Sequence, residues 1–305
     1  MLIFASSDKG GTGRSVTSCN IAYQLSLKGL DVAYLDFDFG SPTAGAIFEV
    51  EAVERGTDRG GLHSHIVQQT AEPHRVDVRV ETARPALKIR PPKSGSLILY
   101  PGDRNGAEFA MDEKHATRAA ALFRRMDSEF DAVVVDLSSG RSQAVEMSLR
   151  ALALPALRKK STVVRWLVFH RWTRQHVLAA NGLVYDDRGI LDIAQDAGHD
   201  RAEFLNLIRS IRTAVPDLNA PSSADRAPQA RWLRSCNDEL KTLARSRLLG
   251  QNMLLGETPL EPMLLWREQV IMEADVNQLI ANRATVAAFT DLAHKISDNR
   301  AWEGL

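Results

Sequence analysis

The chain has 305 residues, 44% of them hydrophobic and 25% charged, so it is long enough to bury a sizeable core. Equal numbers of basic and acidic residues, 38 of each, exclude a bulk electrostatic attraction to nucleic acid or anionic lipid. The only cysteines, Cys19 and Cys236, are too few for a disulfide framework or a four-thiolate metal site.

The distribution of apolar residues favours a cytoplasmic protein. The opening run, Met1 to Ala5, is too short for a signal peptide and lacks its basic flank. No later stretch approaches the roughly 18 or more consecutive apolar residues of a membrane span. We therefore expect a cytoplasmic location without membrane insertion.

The first predicted elements are a buried strand, a glycine-rich loop and a helix. The strand covers Leu2 to Ser6, and the helix has apolar residues at Ile21, Leu25 and Leu27 or Leu30. A glycine-rich turn between a strand and a helix lets backbone N–H groups converge on a phosphate at the helix N-terminus. The glycines alone are also compatible with a tight strand-to-helix turn that binds no phosphate, although a phosphate site is favoured.

Strands and helices then alternate along the chain. Further strands are predicted at Val32 to Leu35, Leu97 to Tyr100, Ala132 to Val135, Val163 to Phe169 and Leu248 to Leu255. Phe204 to Ile211 is compatible with a strand or a helix, and a strand is favoured. Helices are predicted at Met111 to Met126, at Trp172 to Val184 and within Leu264 to Ile296. This alternation predicts an α/β fold, doubly wound, with a mostly parallel sheet and helices on both faces.

Two segments interrupt the alternation. Residues 51–96 form an insert rich in Arg, Gly, Pro and His, with a helix predicted near Leu62 to Gln69. Residues 186–247 are predicted to be mostly helical and Arg-rich, with a break from Pro216 to Pro228. We predict one domain over residues 1–305 that includes both segments.

The loop itself reads Lys9-Gly10-Gly11-Thr12-Gly13-Arg14-Ser15. It resembles the deviant Walker A signature of the MinD/ParA family, which are P-loop ATPases of the SIMIBI class. The resemblance implies an ATP site in which Lys9 reaches across a homodimer to the ATP of the partner. It also implies that the nucleotide is bound by Gly10, Gly11, Thr12, Gly13, Arg14, Ser15 and Val16.

Acidic residues follow two of the predicted strands. Asp36-Phe37-Asp38 resembles the DxD element of the same family, and the stretch from Phe130 to Gly140 resembles its Walker B strand. The resemblance implies that Ser15, Asp36 and Asp136 hold Mg²⁺, directly or through water, and that Asp38 orients the attacking water. Each aspartate taken singly is more often a helix cap or turn former.

The sequence departs from the family pattern at three places. Arg14 replaces the usual P-loop lysine, an exchange that is not conservative at a tight site, so we expect ATP to bind but to be hydrolysed slowly. Val16 replaces a second hydroxyl residue. Members of the family usually recognise adenine with an Asn after a late strand, and here the Arg212-Thr213 region occupies that position. Pro259, which is expected to follow the last strand, is therefore the only residue predicted to contact the base.

Three functions are compatible with these residues. The first is an ATP- and Mg²⁺-dependent dimeric switch that controls the positioning, partitioning or assembly of an unidentified protein partner. The second is a nucleotide-bound scaffold or docking subunit with little hydrolysis. The third is a biosynthetic enzyme similar to dethiobiotin synthetase, against which Lys9 argues, because a cross-dimer lysine marks the switch proteins.

A basic stretch from Arg141 to His176 adds a further question. It contains seven Lys or Arg residues after Arg141 interleaved with Trp166 and Trp172, and a single acid, Glu146. Such a stretch is typical of a solvated basic face or a surface that docks an acidic partner. Weak DNA binding is the alternative.

Overall fold

The computed structural model describes residues 1–68, 72–158, 162–218, 227–250 and 252–303. Within these ranges eight strands form one sheet in the order β3-β4-β2-β5-β1-β6-β7-β8. The strands are β1 Leu2–Ser6, β2 Val32–Phe37, β3 Val76–Asp77, β4 Leu97–Tyr100, β5 Ala132–Leu137, β6 Val164–Arg171, β7 Ile208–Val215 and β8 Leu254–Pro259.

The sheet is parallel except at one edge, where β3 runs antiparallel to β4. The parallel arrangement brings the carboxyl ends of β1, β2 and β5 together, and Asp36 of β2 pairs in register with Asp136 of β5. The strands are apolar on both faces, as expected of a parallel sheet covered on each side. The prediction of a doubly wound, mostly parallel sheet is confirmed.

Helices cover both faces of the sheet. They are α1 Arg14–Leu27, α2 Ala44–Ile47, α3 Leu62–Gln68, α4 Val78–Glu81, α5 Pro85–Lys88, α6 Glu113–Glu129, α7 Gln143–Ala153, α8 Arg174–Tyr185, α9 Ile190–Asp196, α10 Arg201–Asn206, α11 Ala227–Ser246, α12 Glu273–Asn277 and α13 Arg283–Ser297. Short 3₁₀ segments lie at Glu51–Val53, Pro262–Leu265 and Asn299–Trp302.

Alternate residues of the strands build two separate cores. Leu2 and Phe4 of β1 face the core formed with α6, α7, α8 and α9. Ile3 and Ala5 of the same strand face the core formed with α1 and α13. The alternation of side chains along each strand therefore decides which helices each face of the sheet contacts. The packing of α1 against this sheet holds the helix in place behind the loop that precedes it.

The last two strands begin later than the sequence predicts. Phe204 lies in α10, because the Asp200 side chain accepts a hydrogen bond from the backbone N–H of Glu203 and starts a helix there. Leu248 has a φ of 56° and is 64% exposed, so the apolar run from this residue begins as a turn. A strand exists at each predicted place, but both predictions, Phe204 to Ile211 and Leu248 to Leu255, begin and end too early, since β7 ends at Val215 and β8 at Pro259.

The two irregular segments both contribute to the sheet. The insert 51–96 supplies β3, which the sequence does not predict, and its helix α3 ends at Gln68, with Gln69 outside the described residues. The segment 186–247 contains β7 as well as α9, α10 and α11. Most of the predicted break from Pro216 to Pro228 also lies outside the described residues. The single-domain assignment stays a prediction.

None of the helices described is long and apolar enough to cross a membrane.

Candidate functional site

The loop between β1 and α1 has the backbone geometry of an anion site. Gly11 and Gly13 have φ values of 71° and 74°, a conformation that favours glycine. Gly13 is the N-cap of α1 and provides no side-chain cap, and the first turn of the helix has no acidic residue. The first N–H groups of α1 are therefore left for an external acceptor, at the end of the helix with partial positive charge.

Neighbouring strands hold this loop in place. The hydroxyl of Ser7 donates to the carbonyl of Lys9 at 3.1 Å, and the N–H of Gly140 donates to the carbonyl of Ser7 at 2.7 Å. The hydroxyl of Thr213, near the end of β7, donates to the carbonyl of Thr12. The loop is thus tied to the segment after β5 and to β7, which limits its freedom before any ligand binds.

Two adjoining cavities open onto the loop. A cavity of about 160 Å³ lies over it and is lined by Ser7, Gly10, Gly11, Thr12, Gly13, Arg14, Ser15, Val16, Asp38, Ser41, Thr43, Ser139 and Glu268. A second cavity of about 270 Å³ shares Gly11, Thr12, Gly13, Val16 and Glu268 with the first and extends to Thr213, Pro259, Glu261 and Phe289. Together they form a cleft with a polar end at the loop and a larger end beside β8.

Arg14 lies inside the polar end of this cleft. Its side chain is only 6% exposed, and its Nε donates to Asp136 Oδ1 at 2.6 Å. Its Nη2 donates to Asp38 Oδ2 at 3.0 Å and to Ser15 Oγ at 3.3 Å, while Nη1 donates to Ser7 Oγ at 3.4 Å. Burial disfavours the charge, but Asp136 and Asp38 outweigh it and raise the pKa of Arg14 above its ordinary value.

The carboxyl group of Asp36 is hydrogen-bonded to the backbone that follows it. Its Oδ2 accepts hydrogen bonds from the N–H groups of Thr43 and Ala44, both at 3.0 Å, at the start of α2. Burial, together with the negative charge of Asp136, raises the pKa of Asp36 to about 8. The surroundings of Asp36 therefore favour its neutral form, and its carboxyl group is hydrogen-bonded to the backbone at the start of α2.

Asp136 and Asp38 approach the loop from two neighbouring strands. Asp136 is fully buried in β5, and its Oδ2 has no hydrogen-bond partner among the described residues. Asp38 follows β2, where the N–H of Phe39 donates to Ser138 Oγ at 3.2 Å and so fixes the segment beside β5. Both carboxyl groups contact the same guanidinium.

The predicted Mg²⁺ ligands Ser15, Asp36 and Asp136 do not fit a metal ion as the side chains stand. The guanidinium of Arg14 contacts Ser15 and Asp136, and the carboxyl group of Asp36 is hydrogen-bonded to backbone. Mg²⁺ usually keeps several waters and is held by one or two carboxyl groups together with the phosphates of the substrate. Here the carboxyl groups of Asp38 and Asp136 are both bonded to the guanidinium. In the described part of the chain, no group of three His, Cys, Asp or Glu side chains is arranged to hold a metal. The assignment of these residues to Mg²⁺ stays a prediction.

Lys9 lies at the outer edge of the loop and is exposed. Across the described ranges it makes no ion pair, whereas the preceding Asp8 lies 3.5 Å from Arg141 Nη1. Its ammonium group is accessible to a second molecule. The trans role of Lys9 and the catalytic roles of Arg14 and Asp38 remain predictions.

The larger end of the cleft contains residues that the sequence does not single out. Pro259 lines it as predicted, but Gly256 to Pro259 belong to β8 and do not follow it. Arg212 does not line the cavity, because its guanidinium lies over the ring of Trp172, 3.9 Å from the centroid. Thr213 occupies the wall beside the loop. Because successive side chains of a strand point to opposite faces of the sheet, Arg212 and Thr213 of β7 lie on different faces.

Glu261 closes the far wall of the same cavity. Its Oε2 accepts from the backbone N–H of Asn282 at 2.9 Å and from the hydroxyl of Thr285 at 2.7 Å. It is buried and connects the end of β8 to the start of α13. No motif in the sequence marks this residue, since its partners lie 21 and 24 positions away along the chain.

The basic residues between Arg141 and His176 lie in several different environments. Arg165 is buried with its guanidinium 4.3 Å from the ring centroid of Trp302, and Arg171 lines the larger cavity. Arg150 pairs with Glu146 at 2.9 Å. Lys159 and Lys160 lie outside the described residues. The stretch therefore supplies fewer surface charges than its composition suggests, and a docking or DNA-binding role stays a prediction.

Comparisons with known proteins agree with this geometry. The family model of the CobQ/CobB/MinD/ParA nucleotide binding domain matches residues 3–258. The flagellum site-determining protein YlxH of Helicobacter pylori is 30% identical over 154 residues, which are 49% of this chain and 44% of that protein. The septum site-determining protein MinD of Synechocystis is 24% identical over 155 residues, which are 51% of this chain and 50% of that protein. The chain thus matches about half the length of these relatives.

Solved structures share the fold over nearly the whole chain. The MinC:MinD complex of Aquifex aeolicus has a TM-score of 0.57 at 16% identity and covers 97% of this chain and 95% of that one. MinD of Pyrococcus horikoshii, complexed with Mg-ADP, has a TM-score of 0.54 at 13% identity, covering 98% and 96%. A plasmid partition protein of Borrelia burgdorferi, bound to AMPPNP, has a TM-score of 0.55 at 14% identity, covering 96% of each. Since the family model spans the sheet and the loop alike, the chain belongs to the MinD/ParA family of nucleotide-binding proteins, as its loop predicts.

Proposed function

We propose that this protein is an ATP-binding switch of the MinD/ParA kind, which dimerises with nucleotide and positions or partitions a partner. The observation that carries the proposal is the uncapped N-terminus of α1, which opens into a cleft in a chain of a nucleotide-binding family. A triphosphate is the ligand that matches such a helix end, because its oxygens accept several N–H donors at once.

The shape of the cleft orients the nucleotide. The phosphates bind at the smaller polar end, over Gly10 to Val16, and the base extends toward the larger end beside Pro259 and Thr213. The volumes of about 160 and 270 Å³ are appropriate for the two parts of one ligand, since small-molecule sites usually measure about 300–1,000 Å³.

Dimerisation is supported by the position of Lys9. The residue is exposed and directly precedes Gly10, which lines the cavity over the loop, so a second copy of the chain can receive its ammonium group beside the bound triphosphate. Lysine suits this role because it carries a compact charge on a flexible stem. The MinC:MinD complex of Aquifex aeolicus shows a relative assembled with a protein partner, and a protein partner is proposed here as well.

Slow hydrolysis follows from the contacts of Arg14. Asp38 is the residue proposed to orient water, and its Oδ2 accepts a hydrogen bond from the guanidinium. A carboxyl group held in this way is less able to bind water in line with the phosphate. The same contact favours a second candidate function, a nucleotide-bound scaffold that does not turn over.

The test measures ATP and ADP binding by calorimetry together with phosphate release. We expect saturable ATP binding with turnover well below the ~1 s⁻¹ typical of slow enzymes. Thr213→Trp fills the larger cavity and is expected to abolish binding, whereas Thr117→Trp on the exposed face of α6 is the matched control and keeps it. Absence of binding by the parent refutes the proposal, and binding with no phosphate release favours the scaffold.

A further inference from the structure

Arg14 makes the contacts that a bound cation makes in a phosphate site. Its guanidinium bonds to a carboxyl oxygen of Asp136, a carboxyl oxygen of Asp38 and the hydroxyl of Ser15. One hydroxyl and two carboxyl groups are the donor types that hold Mg²⁺ beside a nucleotide triphosphate. In this chain the same oxygens converge on an organic cation that is part of the protein.

The surroundings make that cation hard to displace. Arg14 is 6% exposed and Asp136 is fully buried, so their ion pair lies where water screens it little. Removing one partner from a buried pair leaves the other charge uncompensated, which is strongly unfavourable. A metal ion entering beside the guanidinium would meet a like charge at close range, unless the whole side chain left its pocket.

The guanidinium also retains capacity for a ligand. Of its five N–H groups, Nε donates to Asp136, both N–H groups of Nη2 have acceptors, and Nη1 donates to Ser7. One N–H of Nη1 is left, and Arg14 lines the cavity over the loop. A phosphate oxygen placed there would bond to Arg14 and to the N–H groups of α1 together.

The geometry points to Arg14 as the built-in cation of this site, which takes the place of Mg²⁺ and lets the protein bind a nucleotide triphosphate without a divalent metal. This inference rests on the proposed function and deepens it. Nucleotide phosphates are recognised through a fixed guanidinium and backbone N–H groups, so occupancy of the site is independent of the metal concentration.

The experiment compares binding of the non-hydrolysable analogue AMPPNP in excess EDTA and in excess Mg²⁺, by calorimetry on the full chain. We expect the Kd of the parent to change by no more than about twofold between the two buffers. Arg14→Lys shortens the side chain and frees the oxygens of Asp38 and Ser15, so Mg²⁺ is expected to tighten its binding by about tenfold or more. The comparison on the parent stands even if the variant does not fold.

The outcomes separate this inference from the proposed function. If the parent binds AMPPNP only with Mg²⁺, Arg14 leaves its pocket on binding and the inference fails while the proposed function survives. If Arg14→Lys is as independent of Mg²⁺ as the parent, the independence does not come from the arginine and the inference also fails. If the parent binds in neither buffer, the proposed function fails and takes the inference with it.

Discussion

Arg14 and the groups around it form the chemical centre of the site. A lysine at this position would present its three N–H groups from a single ammonium nitrogen, whereas the planar fork of arginine bonds to Asp136, Asp38 and Ser15 from two nitrogens. The contact with Asp38 is the one that bears on hydrolysis, since it engages the carboxyl group that is proposed to orient water.

The first prediction is that Arg14→Lys hydrolyses ATP faster than the parent when Mg²⁺ is present. The lysine releases Asp38 to orient water, and misplacement of a catalytic group by about 1 Å can reduce a rate on the order of a hundredfold. We expect a gain of about tenfold or more in single-turnover phosphate release, with little change in affinity for the Mg²⁺-bound nucleotide. A variant that hydrolyses no faster would show that Asp38 is not limiting.

Asp36 gives a prediction about pH. Its pKa of about 8 in the folded protein lies above that of an exposed aspartate, so between about pH 4 and 8 the folded chain binds a proton that the unfolded chain does not. The free energy of unfolding therefore falls as pH rises through this window, by at most ~1.4 kcal/mol per pH unit. Asp36→Asn keeps an acceptor for Thr43 and Ala44 but cannot ionise, so it lacks this contribution.

Urea unfolding of the parent and Asp36→Asn at about pH 5, 6 and 7 measures the effect. We expect the stability of the variant relative to the parent to increase with pH by about 1 kcal/mol per unit. Parallel stability profiles would mean that Asp36 ionises normally, and that it is available as the predicted metal ligand after all.

Among the structural elements, the loop before α1 depends most on backbone conformation. Gly13 has a φ of 74°, which costs an L-residue with a side chain about 1–2 kcal/mol, although a Cβ there would make only ordinary contact with Thr213. Gly10, in the same loop, has no positive φ and no atom within 4 Å of such a Cβ.

We therefore predict that Gly13→Ala lowers the free energy of unfolding by about 1–2 kcal/mol, and that Gly10→Ala changes it by less than about 0.5 kcal/mol. Chemical denaturation of the two variants, each without nucleotide, provides the measurement. Equal effects of the two substitutions would show that the left-handed conformation of Gly13 is not a fixed feature of the loop.

Two buried strands are the elements that the sequence predicts best. Leu2–Ser6 and Leu97–Tyr100 match their predicted bounds, because buried parallel strands are short apolar runs between turn residues. β3 has only two residues and gives no such run. The start of β8 is misplaced because Leu248 and Leu249 continue the apolar pattern while the chain is still turning after α11.

The sequence predicts which residues lie around the cleft better than it predicts the contacts between their side chains. The phosphate loop, Asp38, Asp136 and Pro259 all line or adjoin one cleft, because the carboxyl ends of parallel strands meet at one edge of the sheet. Side-chain packing decides that Asp36 accepts from the backbone at the start of α2. It also decides that Arg14 lies between Asp38 and Asp136. Neither motif nor spacing encodes such contacts.

For the molecule as a whole, the central question is whether nucleotide changes its state of association. The cleft opens beside the exposed Lys9, so the triphosphate and this residue lie on the same surface. A second copy that brings its own Lys9 to this surface would neutralise part of the charge of the nucleotide. ADP lacks the γ-phosphate that the partner's lysine is proposed to contact and should not support the same assembly.

The most direct measurement is the molar mass by light scattering with ADP and with AMPPNP, for the parent and for Lys9→Ala. We expect the parent to be monomeric with ADP and dimeric with AMPPNP, and Lys9→Ala to bind AMPPNP but stay monomeric. Lys28→Ala, which changes an exposed lysine just after α1, is the control and should dimerise as the parent does. A parent whose mass is the same with both nucleotides, or a Lys9→Ala variant that dimerises normally, would contradict the switch.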